Sequence, residues 1–254
     1  MDFTDKVLPE YSVIIPAYNE QRELPETLAA VRQAQAMCLP RIGETIVVDN
    51  DSTDATASIA LDFGARLVRE PLHKISRVRN AGARAALGRY LIFLDADTVI
   101  DPDMISQVLA RLDSGRIGGG GAAIKYKDDP GFIAATQRKI LTFLSQKGYW
   151  AAGAFLFCLR RAFEAVGGFD ESLYASEDIE LSRGLIRWGR RHNLDFCVLD
   201  TPVYTSSRKF DWFSSGEIFA SQLFCQWRKK DRNQCRIWYE RPDETRPLKK
   251  EKAS

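Results

Sequence analysis

Short runs of aliphatic and β-branched residues alternate along this chain with longer segments whose apolar positions recur every three or four residues. Val13 to Ile15 is the first such run, halted by Pro16, and Ile46 to Val48 is the second, ending in the polar stretch Asp49 to Asp54. Both predict buried parallel strands. Between them Leu24, Leu28, Val31 and the neighbouring alanines fall at helical spacing, which makes a strand, helix, strand unit. The pattern repeats as a helix near Ala55 to Phe63, a strand near Ala65 to Arg69, a helix near Arg77 to Ala86 and a strand at Tyr90 to Leu94. Such alternation predicts an α/β fold, a mostly parallel doubly wound sheet with helices on both faces.

Beyond Asp101 and Pro102 the pattern loosens. A helix is expected from Met104 to Leu112, and Gly118 to Gly121 argue against regular strand until Ala122 to Tyr126. A helix around Phe132 to Leu144, a strand around Ala154 to Leu159, a helix from Arg161 to Val166, a turn at Gly167 and Gly168 and a helix from about Glu177 to Trp188 follow. Residues 1–209 read as one domain, with a nucleotide-binding half over about 11–100 and an acceptor half over about 101–209. Residues 210–254 form a C-terminal appendage and tail.

Composition narrows the class. At 254 residues with 45% hydrophobic positions the chain can bury a full core. A net charge of +2 is too small to make nucleic acid the main partner. Five scattered cysteines without a C-x-x-C pair suit reduced thiols in a cytosol. Met1 to Glu10 carries three acids and no apolar run, unlike a secretory or transit leader. No stretch approaches the roughly 18 to 20 apolar residues of a membrane span. The expectation is a cytoplasmic protein, with peripheral contact at the inner membrane face left open.

In a doubly wound sheet ligands bind beyond the carboxyl ends of the strands, which directs attention to Pro16 to Glu20, Asp49 to Asp54 and Asp95 to Asp97. Asp95-Ala96-Asp97 ends an apolar strand with two carboxylates, enough for a Mg²⁺ or Mn²⁺ ion that draws its other ligands from phosphate and water. The competing reading is a capped turn. Ser52, Thr53 and Asp54 can cap the following helix, while the Asn50 amide can pair with a pyrimidine edge. Tyr18 offers a ring to cover a base, or is a turn residue at the surface. Lys74, Arg77 and Arg79 precede a helix and meet either a diphosphate or solvent. Glu177 and Asp178 begin a helix, where acids also complement the dipole. With only His73 and His192 available as imidazoles, a carboxylate is the expected general base.

Five segments, in order, resemble glycosyltransferase family 2, whose members share a Rossmann-like fold called GT-A. Tyr11 to Glu20 (YSVIIPAYNE), Thr45 to Thr56 (TIVVDNDSTDAT) and Arg79 to Thr98 (RNAGARAALGRYLIFLDADT) resemble its first strand, second strand and donor segment. Arg161 to Asp170 (RAFEAVGGFD) and Ser176 to Arg183 (SEDIELSR) resemble its acceptor-side helix and acidic pair. The resemblance implies a nucleotide-sugar donor, commonly UDP-linked, held by Pro16, Tyr18, Glu20, Asn50, Lys74, Arg79, Asp95 and Ala96. It further implies Asp97 and Asp95 as ligands of Mn²⁺ or Mg²⁺, Asp178 as general base and Glu177 as its electrostatic support. The implied reaction is inverting transfer of one sugar to a hydroxyl of a sugar, lipid-linked or small-molecule acceptor.

Two features depart from that pattern. Where some members place a histidine after the acidic pair, Tyr204 to Lys209 (YTSSRK) offers Arg208 and Lys209, and His192 is the only imidazole downstream. Arg208 is therefore expected to grip the leaving diphosphate, or else to be a surface charge. Gln226-Trp227-Arg228 lacks the spacing of a processive signature, so one sugar is transferred. In the appendage, Trp212, Phe219, Leu223 and Trp227 form an aromatic stripe before a basic run. That stripe either closes the core over the acceptor site or meets a membrane surface. Two other functions compete: a sugar-nucleotide pyrophosphorylase, which lacks its early glycine-rich loop here, and a nucleotide-sugar or partner-binding module without turnover. Oligomeric state is not legible.

Overall fold

The computed structural model describes residues 8–127, 153–208, 212, 213, 230–233, 235 and 239. Its first half follows the periodicity: β1 (Tyr11–Ala17), α1 (Leu24–Ala36), β2 (Gly43–Asp49), α2 (Thr56–Asp62), β3 (Arg66–Arg69), α3 (Ile75–Ala85) and β4 (Tyr90–Leu94). The second half comprises β5 (Thr98–Val99), α4 (Met104–Asp113), β6 (Ile117–Tyr126), β7 (Phe155–Leu159), α5 (Arg160–Ala165), α6 (Glu177–Arg191) and β8 (Asp195–Thr205). The expected helix at Phe132 to Leu144 lies outside the described residues.

All eight strands form one sheet in the order β3-β2-β1-β4-β7-β6-β8-β5. The β3-β2-β1-β4 half is parallel, β7 runs antiparallel to both β4 and β6, and β8 is parallel to β6. Reversal of direction beside β4 opens the sheet at the end where β1, β2 and β4 finish, and the polar loops gather there.

Alternation along β1 sorts the core. Val13 and Ile15 face α1 and α4, packing with Leu24, Leu28, Met104 and Val108. Ile14 faces α3, α5 and α6, packing with Val78, Phe163, Leu181 and Leu185. A one-residue slip would exchange the two sets. Each misplaced aliphatic side chain forfeits about 1.5–3 kcal/mol, so the register, and with it the position of every strand-end residue, is firmly set.

Three details differ from the expectation. β1 continues through Pro16 to Ala17, because the β1–β4 pairing has already ended at Ile14 with Phe93 and Pro16 pairs on the β2 side alone. The glycine run lies inside β6, not before a strand. A Cβ at Gly120 would stand 2.2 Å from the Cys197 carbonyl oxygen and 2.5 Å from Phe157 Cζ, so only glycine lets β8 approach so closely. β8 was not anticipated, since Pro202 and a register shift between Ala122 and Ala123 interrupt its alternation. Among the described residues no helix is long and apolar enough to cross a membrane.

Candidate active site

The loops leaving β1 and β2 are tied together before any ligand is considered. Asn19 N–H donates to Ser52 Oγ at 3.0 Å, and Thr53 N–H donates back to Asn19 Oδ1 at 2.8 Å. Asp54 accepts from the Thr56 amide at 2.9 Å, holding the first turn of α2 as its acidic position suggested, and from Gln21 N–H at 3.1 Å. Glu20 N–H donates to Thr56 Oγ1 at 2.7 Å, which fixes Glu20 at the sheet edge with its side chain 5% exposed.

Asp95-Ala96-Asp97 forms the turn after β4. Asp95 N–H bonds to Ala154 O at 3.1 Å, Thr27 Oγ1 of α1 donates to Ala96 O at 2.8 Å, and Ser206 N–H reaches Asp97 O at 3.2 Å. Both carboxylates are thus anchored through their own backbone. Asp97 Oδ1 accepts from the Thr98 and Thr205 hydroxyls at 3.4 and 3.3 Å, and its Oδ2 lies 3.2 Å from Arg208 Nη2. The same nitrogen lies 2.5 Å from Glu20 Oε1. Burial opposes the Arg208 charge, but Glu20 and Asp97 more than compensate and hold the guanidinium protonated.

Arg79 enters from α3. Nη1 donates to Glu177 Oε1 at 2.7 Å, and Nη2 donates to Asp95 Oδ1 at 2.8 Å and to Gly153 O at 2.9 Å. Glu177 and Asp178 open α6 behind Ser176, which adopts a left-handed φ of 61°. Asp178 Oδ1 accepts its neighbour's Ile179 N–H at 2.8 Å. Burial pushes the Asp178 carboxyl up to about 7 and the Glu177 carboxylate adds to the rise, against the lowering influence of Arg79. A carboxyl poised there can take a proton near neutral pH.

In the loop leaving β1, Tyr18 packs edge-on against His73 with ring centroids 4.6 Å apart. Asn50 Nδ2 donates to Glu70 O at 2.5 Å and Leu72 O at 3.0 Å, securing the loop between β3 and α3. Lys74 places Nζ 3.8 Å from the centre of the Tyr174 ring, on the loop that leads to Glu177.

Among the described residues no three His, Cys, Asp or Glu side chains cluster as a metal site. The pair Asp95 and Asp97 still fits a hard cation that arrives with a nucleotide, because such an ion takes one or two carboxylates and completes its shell with phosphate and water. Arg208 competes for Asp97, so the set fits an ion delivered by a diphosphate better than an ion alone.

Sequence placed Glu20, the segment holding Arg79, Asp95 and Asp97, the pair with Glu177, and Arg208 in four separate stretches, and the fold brings these six side chains into two arginine-bridged clusters. His192 is not with them. It ends α6, stacked on Trp188 at 4.1 Å, roughly 20 Å along the helix from Asp178. Gly153 and Thr27 were missed, since a glycine before a strand and a threonine inside a helix carry no chemical signal. In the appendage Trp212 lies under Arg208 at 5.4 Å, and buried Cys235 packs with Ala175, Tyr174 and Tyr239. Of the aromatic stripe only Trp212 is described, half-buried, and Phe219, Leu223, Trp227 and Lys209 lie outside the described residues.

Known proteins share the family and the fold. An uncharacterized glycosyltransferase of Mycobacterium tuberculosis is 36% identical over 104 residues, which is 41% of this chain and 44% of that one. The dolichyl-phosphate beta-glucosyltransferase of Drosophila melanogaster is 38% identical over 100 residues, 35% of this chain and 31% of that protein. The aligned stretch therefore spans less than half of either relative. Glucosyl-3-phosphoglycerate synthase of M. tuberculosis, solved with Mn²⁺, UDP and glucosyl-3-phosphoglycerate, superposes with a TM-score of 0.59 at 20% identity, over 93% of this chain and 82% of that one. The architecture is the Rossmann-like GT-A fold. A family model described as Glycosyl transferase family 2 matches residues 12–166, more than half of the 254, and the chain belongs to that family.

Proposed function

We propose that this protein transfers a single sugar from a nucleoside-diphosphate sugar, UDP-linked by preference, to an acceptor hydroxyl with inversion at the anomeric carbon. One observation carries the reading: Asp178, its carboxyl raised to about 7, stands beside the cluster in which Arg79 joins Glu177 to the strand-end carboxylate Asp95. A general base and a donor-side carboxylate at one sheet edge are what direct displacement requires. The acceptor oxygen attacks the anomeric carbon, its proton passes to Asp178, and the bond to the diphosphate oxygen breaks. When bound, Mn²⁺ or Mg²⁺ held by Asp97 and Asp95 would neutralise charge on the diphosphate. Arg208 adds a second positive group on that side.

The preference for uridine rests on Asn50. Both amide hydrogens have backbone carbonyls to meet, those of Glu70 and Leu72, so the atom left to read a base is the acceptor Oδ1. An acceptor pairs with the ring N–H of uracil, whereas cytosine offers it only the exocyclic amine and sets a ring acceptor beside it. Tyr18, Glu20, Pro16, Lys74 and Ala96 complete the donor side in this reading.

A base with a pKa near 7 suits an alcohol. A phosphate oxygen, with its second pKa near 6, is already ionised at neutral pH and needs no base. Hydroxyl-bearing acceptors, lipid-linked or small, are therefore the first to try, and a polyprenyl phosphate, the acceptor that the Drosophila relative's name indicates, is the contrasting case. Radiolabelled transfer from UDP-sugars to alcohol and phosphate acceptors tests the proposal. Products on hydroxyls that vanish in Asp178→Asn support it, and transfer that persists in that variant contradicts it.

A further inference from the structure

We infer that Arg79 is a positioning residue: it fixes the catalytic acidic pair against the donor-side carboxylate and does not contact the nucleotide. The inference rests on the reading of Asp178 as base, and it reassigns a side chain that sequence places among the donor contacts.

The Nη edge of the guanidinium has no place left for a phosphate, and Nε, which has no partner, is sealed from solvent. Its side chain is 3% exposed, its Nη atoms serve Glu177, Asp95 and Gly153, and the plane lies 5.4 Å from the Phe169 ring centre. The partners come from three places: the turn after β4 supplies Asp95, α6 supplies Glu177, and the segment entering β7 supplies Gly153. A planar fork can reach acceptors in two directions at once, which an ammonium on a flexible stem does not reproduce.

The choice of partner matters. Arg79 bonds to Glu177 and forms no ion pair with Asp178, so Asp178 stays a weak acid. Gly153 makes this possible, since a Cβ there would stand 3.0 Å from Asp178 Oδ2 and 3.4 Å from Arg79 Nη2. The base thus lies alongside the guanidinium without being captured by it. Because the same cation grips Asp95, the distance from donor side to base is set by a single rigid group.

The charged groups around Asp178 are Glu177 on its own helix, Arg79 from α3 and Asp95 from the turn after β4. Removing the cation leaves three carboxylates in mutual repulsion, so the Asp178 midpoint must rise. The test follows that carboxyl by ¹³C NMR, assigned with Asp178→Asn, in Arg79→Gln and Arg79→Lys, alongside calorimetric titration with UDP and Mn²⁺. The expected result is a midpoint raised by about one unit in Arg79→Gln and less in Arg79→Lys, with UDP affinity within about threefold of the parent. Should Arg79→Gln not fold, Arg79→Lys carries the test, with the same direction of shift required. An unmoved midpoint, or a loss of UDP affinity beyond about threefold in Arg79→Lys, overturns the inference. If the parent itself binds no UDP, the functional reading fails while the NMR titration still decides the role of Arg79.

Discussion

Glu20 and Arg208 stand 188 positions apart in the chain, yet Oε1 of one lies 2.5 Å from Nη2 of the other, across the open end of the sheet. That contact closes the proposed donor side, because the same nitrogen also meets Asp97. Replacing Arg208 with alanine strands two largely buried carboxylates. Breaking a buried pair costs about 3–5 kcal/mol, and the partial exposure of Arg208 and Asp97 brings the expected loss to about 2–4 kcal/mol. Chemical denaturation of Arg208→Ala measures it. A loss restored by the further change Glu20→Gln would identify the stranded charge as the cause.

The raised Asp178 carboxyl gives turnover a pH limb. The active form is the ionised base, so rate climbs as pH rises through about 7 and levels above it. Stability runs the opposite way. The folded pKa lies above the unfolded value, so the folded state holds the extra proton between them, and ionisation of Asp178 destabilises the fold as pH rises through that window. Asp178→Asn should therefore melt higher than the parent at pH 8, with the difference shrinking towards pH 5. A difference independent of pH would argue against the assignment.

Base selection offers a separate check. Asn50→Ala removes two hydrogen bonds that hold the loop before α3, a loss of about 1–3 kcal/mol in stability. It should also erase the preference for UDP over CDP, which competition binding in the presence of Mn²⁺ would read directly. A variant that keeps the parent's preference places base reading elsewhere.

The fold makes its own prediction at Gly120. Alanine there drives a Cβ into the Cys197 carbonyl and the Phe157 ring, and overpacking of this kind costs about 1–3 kcal/mol or more. Thermal unfolding of Gly120→Ala compared with Gly115→Ala separates clash from backbone conformation. A Cβ at Gly115 would meet nothing within 4 Å, but the backbone there has a φ of +68°, so its cost is conformational alone.

How much of this was legible in sequence follows from what each signal carries. β1, β2 and β4 announce themselves because buried parallel strands are uninterrupted apolar runs, and the loops after them inherit their place from topology. β8 did not, since Pro202 and a bulge break the alternation by which a strand is recognised. The four glycines of β6 read as a breaker although they continue the strand, and at Gly120 it is close packing against β8 and Phe157 that excludes a Cβ. Charge pattern identified Arg79 and Arg208 as candidates but carries no information on burial. A basic residue before a helix looks the same whether it faces a diphosphate or is sealed between Asp95 and Glu177. Only the crossing of β4, α3 and α6 in space distinguishes them.

The central claim, a donor site built on Asp97 for a nucleotide sugar and its cation, is tested most directly by thermal unfolding of the purified protein with a panel of nucleotide sugars, with and without Mn²⁺. The account predicts that Mn²⁺ alone changes little. One UDP-sugar with Mn²⁺ should raise the midpoint by about 5 °C or more at a hundredfold excess over its Kd, and Asp97→Ala should abolish the rise. If no nucleotide sugar stabilises the protein under either condition, or if Asp97→Ala responds like the parent, the proposed donor site is contradicted.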